Sequence, residues 1–235
     1  MTAQFILEEL HSVADLEKAK FLQGFFKTGK GQYAEGDLLL GIVMPTIRNI
    51  VKANKGIPLE EIKTLLYSEY HEARMAALLF LAQQFNKSKD EKERKTIFDF
   101  YIANARQANN WDLVDITCRD VIGNYLLDKE DRSILYHLAE SDNLWEQRIA
   151  IVSTWTFIKY RDYADILKLS EKLMNHPHDL MHKAIGWMLR EVGKKDKVTL
   201  VTFLEKHHKQ MPRTALRYSI EHFPADERAY FMKKQ

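Results

Sequence analysis

A helical repeat is the feature that most constrains how this chain folds. Basic and aromatic side chains recur every 37 residues, from Arg74 to Trp111 and from Trp111 to Arg148. Steps of 35 and 30 residues then lead from Arg148 to Lys183 and on to Arg213. Repeats of this length built from helices stack into an array in which equivalent positions line one surface. The pattern therefore predicts a stacked helical array with these side chains on its concave side.

Helical periodicity runs through almost the whole chain. Apolar residues recur at intervals of three and four, and Pro45 and Pro58 stand where the first turn of a helix accepts a proline. Nine Gly and five Pro among 235 residues leave little room for hairpins, and no segment alternates apolar and polar residues as a strand does. The least regular stretch is 28–44. We predict an all-α, HEAT-like helical repeat array (an α-solenoid) with a concave basic surface, forming a single domain over residues 1–235.

Composition and the N-terminal sequence restrict the compartment. The chain has one cysteine, Cys118, so an internal disulfide is impossible and a structural thiol is the simpler interpretation. The first residues lack the basic and apolar regions of a secretory signal, and no apolar run approaches the ~20 residues of a membrane span. We therefore expect a cytoplasmic protein that does not bind membranes. A net charge of +2 means that nucleic-acid binding would need an uneven distribution of charge.

Trp111 and Asp115 are the strongest candidates for chemistry. They lie four residues apart, so a helix places both side chains on one face. Asp112 in the first turn suits the helix dipole, and we assign it a structural role. Asp115 has apolar neighbours on both sides, and a partly desolvated carboxylate beside an indole can stabilise a developing cation. Trp187, four residues after Lys183, occupies the rung of Asp115 in a later repeat and shares the concave register with Trp111, so the two indoles are predicted to face one cavity.

Basic residues on the second helix of successive repeats form a candidate phosphate-binding series. The members are Arg74, Arg148, Lys183, Arg190, Arg213 and Arg217. An alternative interpretation is ion pairing with acidic residues nearby in sequence, and both interpretations stay open. These acidic residues are Glu72, Glu146 and Glu191.

The histidines do not follow a known metal-site pattern. His178 and His182 are four residues apart with His176 close by, but the sequence lacks an HExxH motif and a clear third ligand. We therefore predict no metal site. No glycine-rich phosphate motif follows a strand, and we expect no organic cofactor.

Three sequence blocks carry a resemblance to a known family. The blocks are Trp-Asp-Leu-Val-Asp at 111–115, Ser-Asp-Asn-Leu-Trp-Glu-Gln-Arg at 141–148 and Lys-Ala-Ile-Gly-Trp-Met-Leu-Arg-Glu at 183–191. In this order and spacing the chain resembles the AlkD-type DNA alkylation repair glycosylases, within the wider AlkC/AlkD superfamily of HEAT-like repeat proteins. The resemblance covers most of the chain, from about residue 19 to the helix of Arg213.

The resemblance implies a reaction and a set of site residues. It implies a monomeric hydrolase that excises cationic N3- and N7-alkylated purines from duplex DNA without extruding the base. The catalytic carboxylate of the family falls on Asp115, the flanking indoles fall on Trp111 and Trp187, and a backbone-contacting arginine falls on Arg148. No metal or cofactor is implied.

One position departs from the family, and two other functions remain as alternatives. Family members often carry a tyrosine on the second helix, where this chain has Phe25 or Phe26, so an aromatic face is expected there without its hydroxyl. The first alternative is a DNA-binding repeat protein without excision activity, although Asp115 argues against that class. The second is a protein-binding scaffold, which predicts an exposed apolar groove in place of a basic one.

Overall fold

The computed structural model of the protein describes residues 1–233, and helices dominate that range. The only β feature within residues 1–233 is an isolated parallel bridge between Leu38 and Tyr70. The all-α class that the sequence predicts is confirmed.

Two compact units divide the chain, Met1–Thr117 and Cys118–Gln235. The helices of the first unit are α1 (Ala3–Ser12), α2 (Leu16–Phe26), α3 (Met44–Ala53), α4 (Leu59–Leu66), α5 (His71–Lys87), α6 (Glu91–Ala103) and α7 (Trp111–Cys118), with a 3-10 turn at Ala105–Gln107. The boundary between the units falls at the last residue of α7. The single-domain organisation expected from the sequence stays a prediction.

The second unit begins with a π-helical turn at Arg119–Gly123 that continues directly from α7. Its α-helices are α8 (Asn124–Leu126), α9 (Ser133–Glu140), α10 (Leu144–Ser153), α11 (Trp155–Lys159), α12 (Ala164–Leu173), α13 (Asp179–Lys195), α14 (Lys197–His207), α15 (Arg213–Ser219) and α16 (Ala225–Met232). The sequence predicts one helix over 144–160, but the structure breaks it at Thr154. The hydroxyl of Thr154 donates to the carbonyl of Ile151 (2.6 Å), which closes the end of α10.

In the first unit, α5 is the central helix, and it packs against α3, α4 and α6. Every residue from 71 to 82 is buried, so this part of the helix has no face open to solvent. A helix that is apolar all round belongs in a core, where its charged residues must find partners.

The segment between α2 and α3 passes closely over the start of α2. Gly41 adopts φ +80°, and a Cβ at this position would lie 2.0 Å from the carbonyl oxygen of Asp15. Both the left-handed backbone and the close approach require glycine. The Asp15 side chain caps α2 by accepting the N–H of Lys18 (3.0 Å). The segment before α3 is thus packed against the first turn of α2, where the N–H of Asp15 also donates to the carbonyl of Leu40 (2.8 Å).

In the second unit, α13 packs against α10, α14 and α15. Gly186 lies where α13 approaches α15, and a Cβ there would lie 2.5 Å from the carbonyl oxygen of Ala215. Glycine therefore permits the close packing of the helix that carries Trp187.

Candidate active site and nucleic-acid interface

Trp111 opens α7 and is held in an aromatic cluster of the first unit. The buried Asn110 accepts the N–H of Trp111 on its side-chain oxygen (2.8 Å), which fixes the start of the helix. The half-buried indole packs against the apolar cluster of Ala19, Phe26 and Leu39. Its ring centroid lies 5.7 Å from that of Phe26, so one face is supported from below. The indole is therefore firmly placed while part of it stays accessible.

Asp115 lies one turn after Trp111 on the same helix and is also half-buried. Val114 beside it is buried, and Ile116 is half-buried. The carboxylate thus stands at the margin of the core rather than inside it. Neither Trp111 nor Asp115 is sealed within the packing.

Phe25 and Phe26 occupy different environments. The side chain of Phe25 is 53% exposed, and its ring meets the Trp111 indole edge-on at 5.9 Å between centroids. Phe26 is 9% exposed and lies between Trp111 and the His71 ring. Of the two candidates for a DNA-facing aromatic, only Phe25 is accessible, and Phe26 supports the cluster from inside. Adjacent helical residues point about 100° apart, which explains the difference.

Arg74 lies in a buried network instead of on a surface. The side chain is 4% exposed, and its guanidinium forms an ion pair with Asp37. It also donates to the carbonyl of Ser68 (2.8 Å) and the side-chain oxygen of Asn109 (3.1 Å). This placement argues against the expected phosphate contact by Arg74, because its side chain is buried and its donors already face acceptors of the protein. Its partner is not Glu72, the neighbour that the alternative interpretation named.

The Glu72 carboxylate holds the loop before α3 by accepting hydrogen bonds from the backbone of that loop. One carboxylate oxygen accepts the N–H groups of Gly41 (2.9 Å) and Ile42 (3.2 Å), and the other accepts the N–H of Leu40 (2.9 Å). The side chain is 2% exposed. Three backbone donors in a buried loop are thereby satisfied by one acid.

His71 and Asp37 were not among the residues singled out from the sequence, and Asp112 was assigned only a structural role in the first turn of its helix. The ring nitrogens lie 3.1 Å from Asp37 Oδ2 and 2.9 Å from Asp112 Oδ2. The sequence does contain a signal for buried charge here, because ionisable residues at 71, 72 and 74 directly precede the apolar run at 75–82. Such residues are buried only when they are paired.

A cavity of about 370 Å³ lies in the first unit between α2, α3 and α5. Its walls are mainly apolar, and His71, Glu72 and Asp112 also line it. Phe26 lines this cavity and also contacts the indole of Trp111, so its ring lies between the two.

In the second unit, Trp187 is half-buried on α13, between the buried Gly186 and Met188. Arg148 on α10 is 4% exposed, and its Nη1 donates to the carbonyl of Leu180 in the first turn of α13 (2.5 Å). The structure thus brings Arg148 to the helix of Trp187. The bond is an interhelical link, and it sets the position from which any phosphate contact would be made.

The other predicted basic residues of the second unit are more accessible than Arg148. Lys183 is ion-paired with Asp179 (2.9 Å), and this hydrogen bond lowers the pKa of Asp179. Arg190 forms an ion pair with Glu221, and its Nε lies 3.7 Å from Glu191. Lys183 and Arg190 of the predicted basic series are thus both ion-paired with acidic residues, within one helix or between helices.

Arg213 is exposed at the start of α15, and its Nη2 donates to the carbonyl of Met232 (2.6 Å). Arg217, one turn later, is also exposed. Of the predicted basic series, these two arginines are the most accessible to solvent.

The three clustered histidines bond to the backbone. His176 Nδ1 accepts the N–H of His178, His178 Nδ1 accepts the N–H of Leu180, and the His182 ring contacts the carbonyl of His176. These bonds order the entrance to α13. Within residues 1–233, no group of three or more His, Cys, Asp or Glu side chains is arranged to hold a metal ion. No helix in the same range is both long and apolar enough to cross a membrane.

Helices make up the architecture of the described residues, and comparisons with known proteins identify the family of the chain. Residues 6–223 match the family described as DNA alkylation repair enzyme, so the chain belongs to that family. The sequence matches none of the curated proteins with which it was compared.

A solved structure shares the fold. It is described as a predicted DNA alkylation repair enzyme from Enterococcus faecalis, and it matches with a TM-score of 0.72 at 18% sequence identity. The match covers 90% of this chain and 97% of that one. At this identity the similarity establishes the shared helical fold.

Proposed function

We propose that the protein is a DNA glycosylase that hydrolyses the N-glycosidic bond of cationic N3- and N7-alkylated purines in duplex DNA. The observation that carries the proposal is the face of α7. There the half-buried Trp111 and Asp115 lie one turn apart in a chain of the DNA alkylation repair enzyme family.

The substrate's own charge explains why one carboxylate is enough. An N3- or N7-alkylated purine is already cationic, so it leaves as a neutral base and needs no strong general acid. Positive charge then builds on the deoxyribose, and Asp115 stabilises that charge and orients a water molecule. The water oxygen adds to the anomeric carbon, its proton is released, and an abasic site remains. This route requires no metal and no organic cofactor.

The indoles act on the sugar. Trp111 presents an apolar face with a negative quadrupole to the deoxyribose, and such a contact to a cation is worth about 1–2 kcal/mol when desolvated. For Trp187, on the second unit, the same role is what the family resemblance implies. The stacking of Phe26 beneath Trp111 supports this role, because a fixed ring loses little entropy on binding. The exposed Phe25, whose ring also contacts the Trp111 indole, adds an accessible aromatic face.

The phosphodiester backbone is held by basic residues of the second unit, without extrusion of the damaged base. Arg148 anchors a phosphate near the lesion, and Lys183, Arg190 and Arg213 extend the contact. Arg74 is left out of this set because its guanidinium is ion-paired with the buried Asp37. Arg148 is equally buried, and it is kept because the backbone-contacting arginine of the resembled family falls on its position. Lys183 and Arg190 form partly exposed ion pairs, which contribute little free energy, so each side chain can leave its carboxylate and bind a phosphate at a small energetic cost.

The test is Asp115→Asn, assayed for release of 7-methylguanine from methylated duplex DNA. We expect base release to fall at least 100-fold, since loss of one preorganised electrostatic contact costs about 10²–10³ in rate, while the dissociation constant for DNA stays within twofold. Asp128→Asn, at an exposed carboxylate outside the site, is the matched control and keeps wild-type release.

Other outcomes decide between the alternatives. Equal release by wild type and Asp115→Asn rejects Asp115 as the catalytic group. Salt-sensitive DNA binding without any abasic product favours a non-catalytic DNA-binding repeat protein. Lack of DNA affinity altogether favours a protein-binding scaffold.

A further inference from the structure

The first turn of α5 carries three charged side chains that are almost completely buried. His71, Glu72 and Arg74 are 3%, 2% and 4% exposed. Burying charge is costly unless each group is paired and hydrogen-bonded. None of the three belongs to the active site proposed above, so their pairing calls for its own explanation.

His71 bridges two carboxylates that come from different parts of the first unit. Asp37 belongs to the loop between α2 and α3, and Asp112 belongs to the first turn of α7. Ionised carboxylates only accept hydrogen bonds, so both ring nitrogens of His71 donate and the ring is an imidazolium. Burial alone lowers the pKa of His71, but the charges and hydrogen bonds of Asp112 and Asp37 raise it to about 9.

The other charged groups around the ring are already engaged. Arg74 pairs with the second oxygen of Asp37. Burial alone raises the pKa of Asp37, yet the hydrogen bond from His71 and the charge of Arg74 bring it below its usual value. Glu72 accepts backbone N–H groups of the loop, and Lys18 on α2 lines the adjacent cavity.

The imidazolium reaches the candidate active site by two routes. Asp112 follows Trp111 directly, and its Oδ1 accepts the N–H of Leu113 (2.9 Å), so it belongs to the framework of the first turn of α7. On the other side, the Phe26 ring lies 4.8 Å from the His71 ring and 5.7 Å from the Trp111 indole. His71 therefore contacts both the helix and the aromatic ring that hold Trp111.

We infer that His71 is a positioning residue for base excision: as a cation that bridges Asp37 and Asp112, it fixes the first turn of α7 and with it Trp111 and Asp115. The inference rests on the proposed function for its catalytic consequence. His71 transfers no proton to the substrate. When the ring loses its proton, a single N–H remains for the two carboxylates and the charge attraction to Asp112 is lost, so the first turn of α7 is held less firmly.

The pH profile of base excision tests the inference. The rate constant for 7-methylguanine release is measured from pH 7 to 9.5 with enzyme in excess, for wild type, His71→Gln and Asp112→Asn. Ionisation of the lesion affects all three proteins alike, so the readout is the ratio of wild-type to variant rate constants. His11→Gln is the control, because His11 is an exposed histidine of the same unit.

Each variant has its own expected profile. For His71→Gln we expect a rate constant at least tenfold below that of wild type at pH 7. The ratio of the wild-type rate constant to that of His71→Gln should then fall as the pH rises through 9. For Asp112→Asn, His71 keeps one carboxylate, so the decline in rate moves to lower pH. This shift keeps the inference testable even if His71→Gln does not fold. The control keeps the wild-type profile.

A measurement without DNA separates this inference from the proposed function. In nitrogen NMR of the free protein, both ring nitrogens of His71 should be protonated at pH 7.5. The indole N–H resonance of Trp111 should shift in Asp112→Asn and follow the titration of His71. If wild type releases no base, the proposed function fails while these signals still decide whether His71 positions Trp111. An unchanged Trp111 resonance and a pH profile unaffected by Asp112→Asn would overturn the inference.

Discussion

Replacing Glu72 with glutamine tests how the first unit holds the loop before α3. The carboxylate accepts three backbone N–H groups, two on Oε1 and one on Oε2. In Glu72→Gln the amide oxygen can keep the bonds to Gly41 and Ile42, but the amide nitrogen then faces the N–H of Leu40, donor against donor. The substitution therefore changes one contact while it conserves volume and shape.

The cost follows from that one contact. A hydrogen bond to a charged group contributes about 1.5–3 kcal/mol, and a buried donor left without a partner costs about 1–3 kcal/mol. We therefore expect Glu72→Gln to lower the free energy of unfolding by about 4 kcal/mol. At 2–4 °C for each kcal/mol in a chain of this size, the melting temperature falls by roughly 12 °C.

Calorimetry and urea unfolding of Glu72→Gln measure this loss. Glu69→Gln is the matched control, because Glu69 lies in the same unit with an exposed side chain, and its change should stay within about 0.5 kcal/mol. A loss below about 1 kcal/mol for Glu72→Gln would refute the claim that its carboxylate secures the loop.

Three further predictions concern charge and stacking. The pKa of His71 is raised from 6.5 to about 9, so its bridge contributes about 3 kcal/mol to stability. That contribution is complete below pH 6.5 and lost as the pH rises through 9, and urea unfolding at pH 6 and 9.5 should show the loss in wild type but not in His71→Gln. Trp111→Ala should slow single-turnover base release about 10-fold, in line with a contact of 1–2 kcal/mol, and recovery with Trp111→Phe would show that an aromatic face suffices; equal rates for all three would exclude the stacking role. Arg148→Ala should reduce the slope of log affinity against log salt by about one unit, the value for one phosphate contact, whereas a lower melting temperature with an unchanged slope would leave Arg148 only its link to Leu180.

Local signals explain which parts of the fold the sequence predicts well. Pro45 lies in the first turn of α3, and Pro58 directly precedes α4, as expected from the fixed φ of proline. The Trp111–Asp115 face needs only a helix that begins near residue 110, and Asn110 provides that start. These features depend on a few neighbouring residues, so a single sequence is enough to predict them.

The parts that the sequence does not predict depend on distant residues. The register of the repeat places Arg74 on a helix face, but it does not show that Asp37, 37 residues earlier, covers that face. Likewise, the choice between Phe25 and Phe26 depends on how α2 meets His71 and Trp111. The His71 bridge joins a loop, α5 and α7, and no local pattern could identify all three partners.

The most direct test of the account is incubation of the wild-type protein with methylated duplex DNA, followed by chromatography of the released bases. The account predicts free 7-methylguanine and 3-methyladenine, with one abasic site in the DNA for each base released. Methylated DNA that stays intact in the presence of excess folded protein would contradict the central claim.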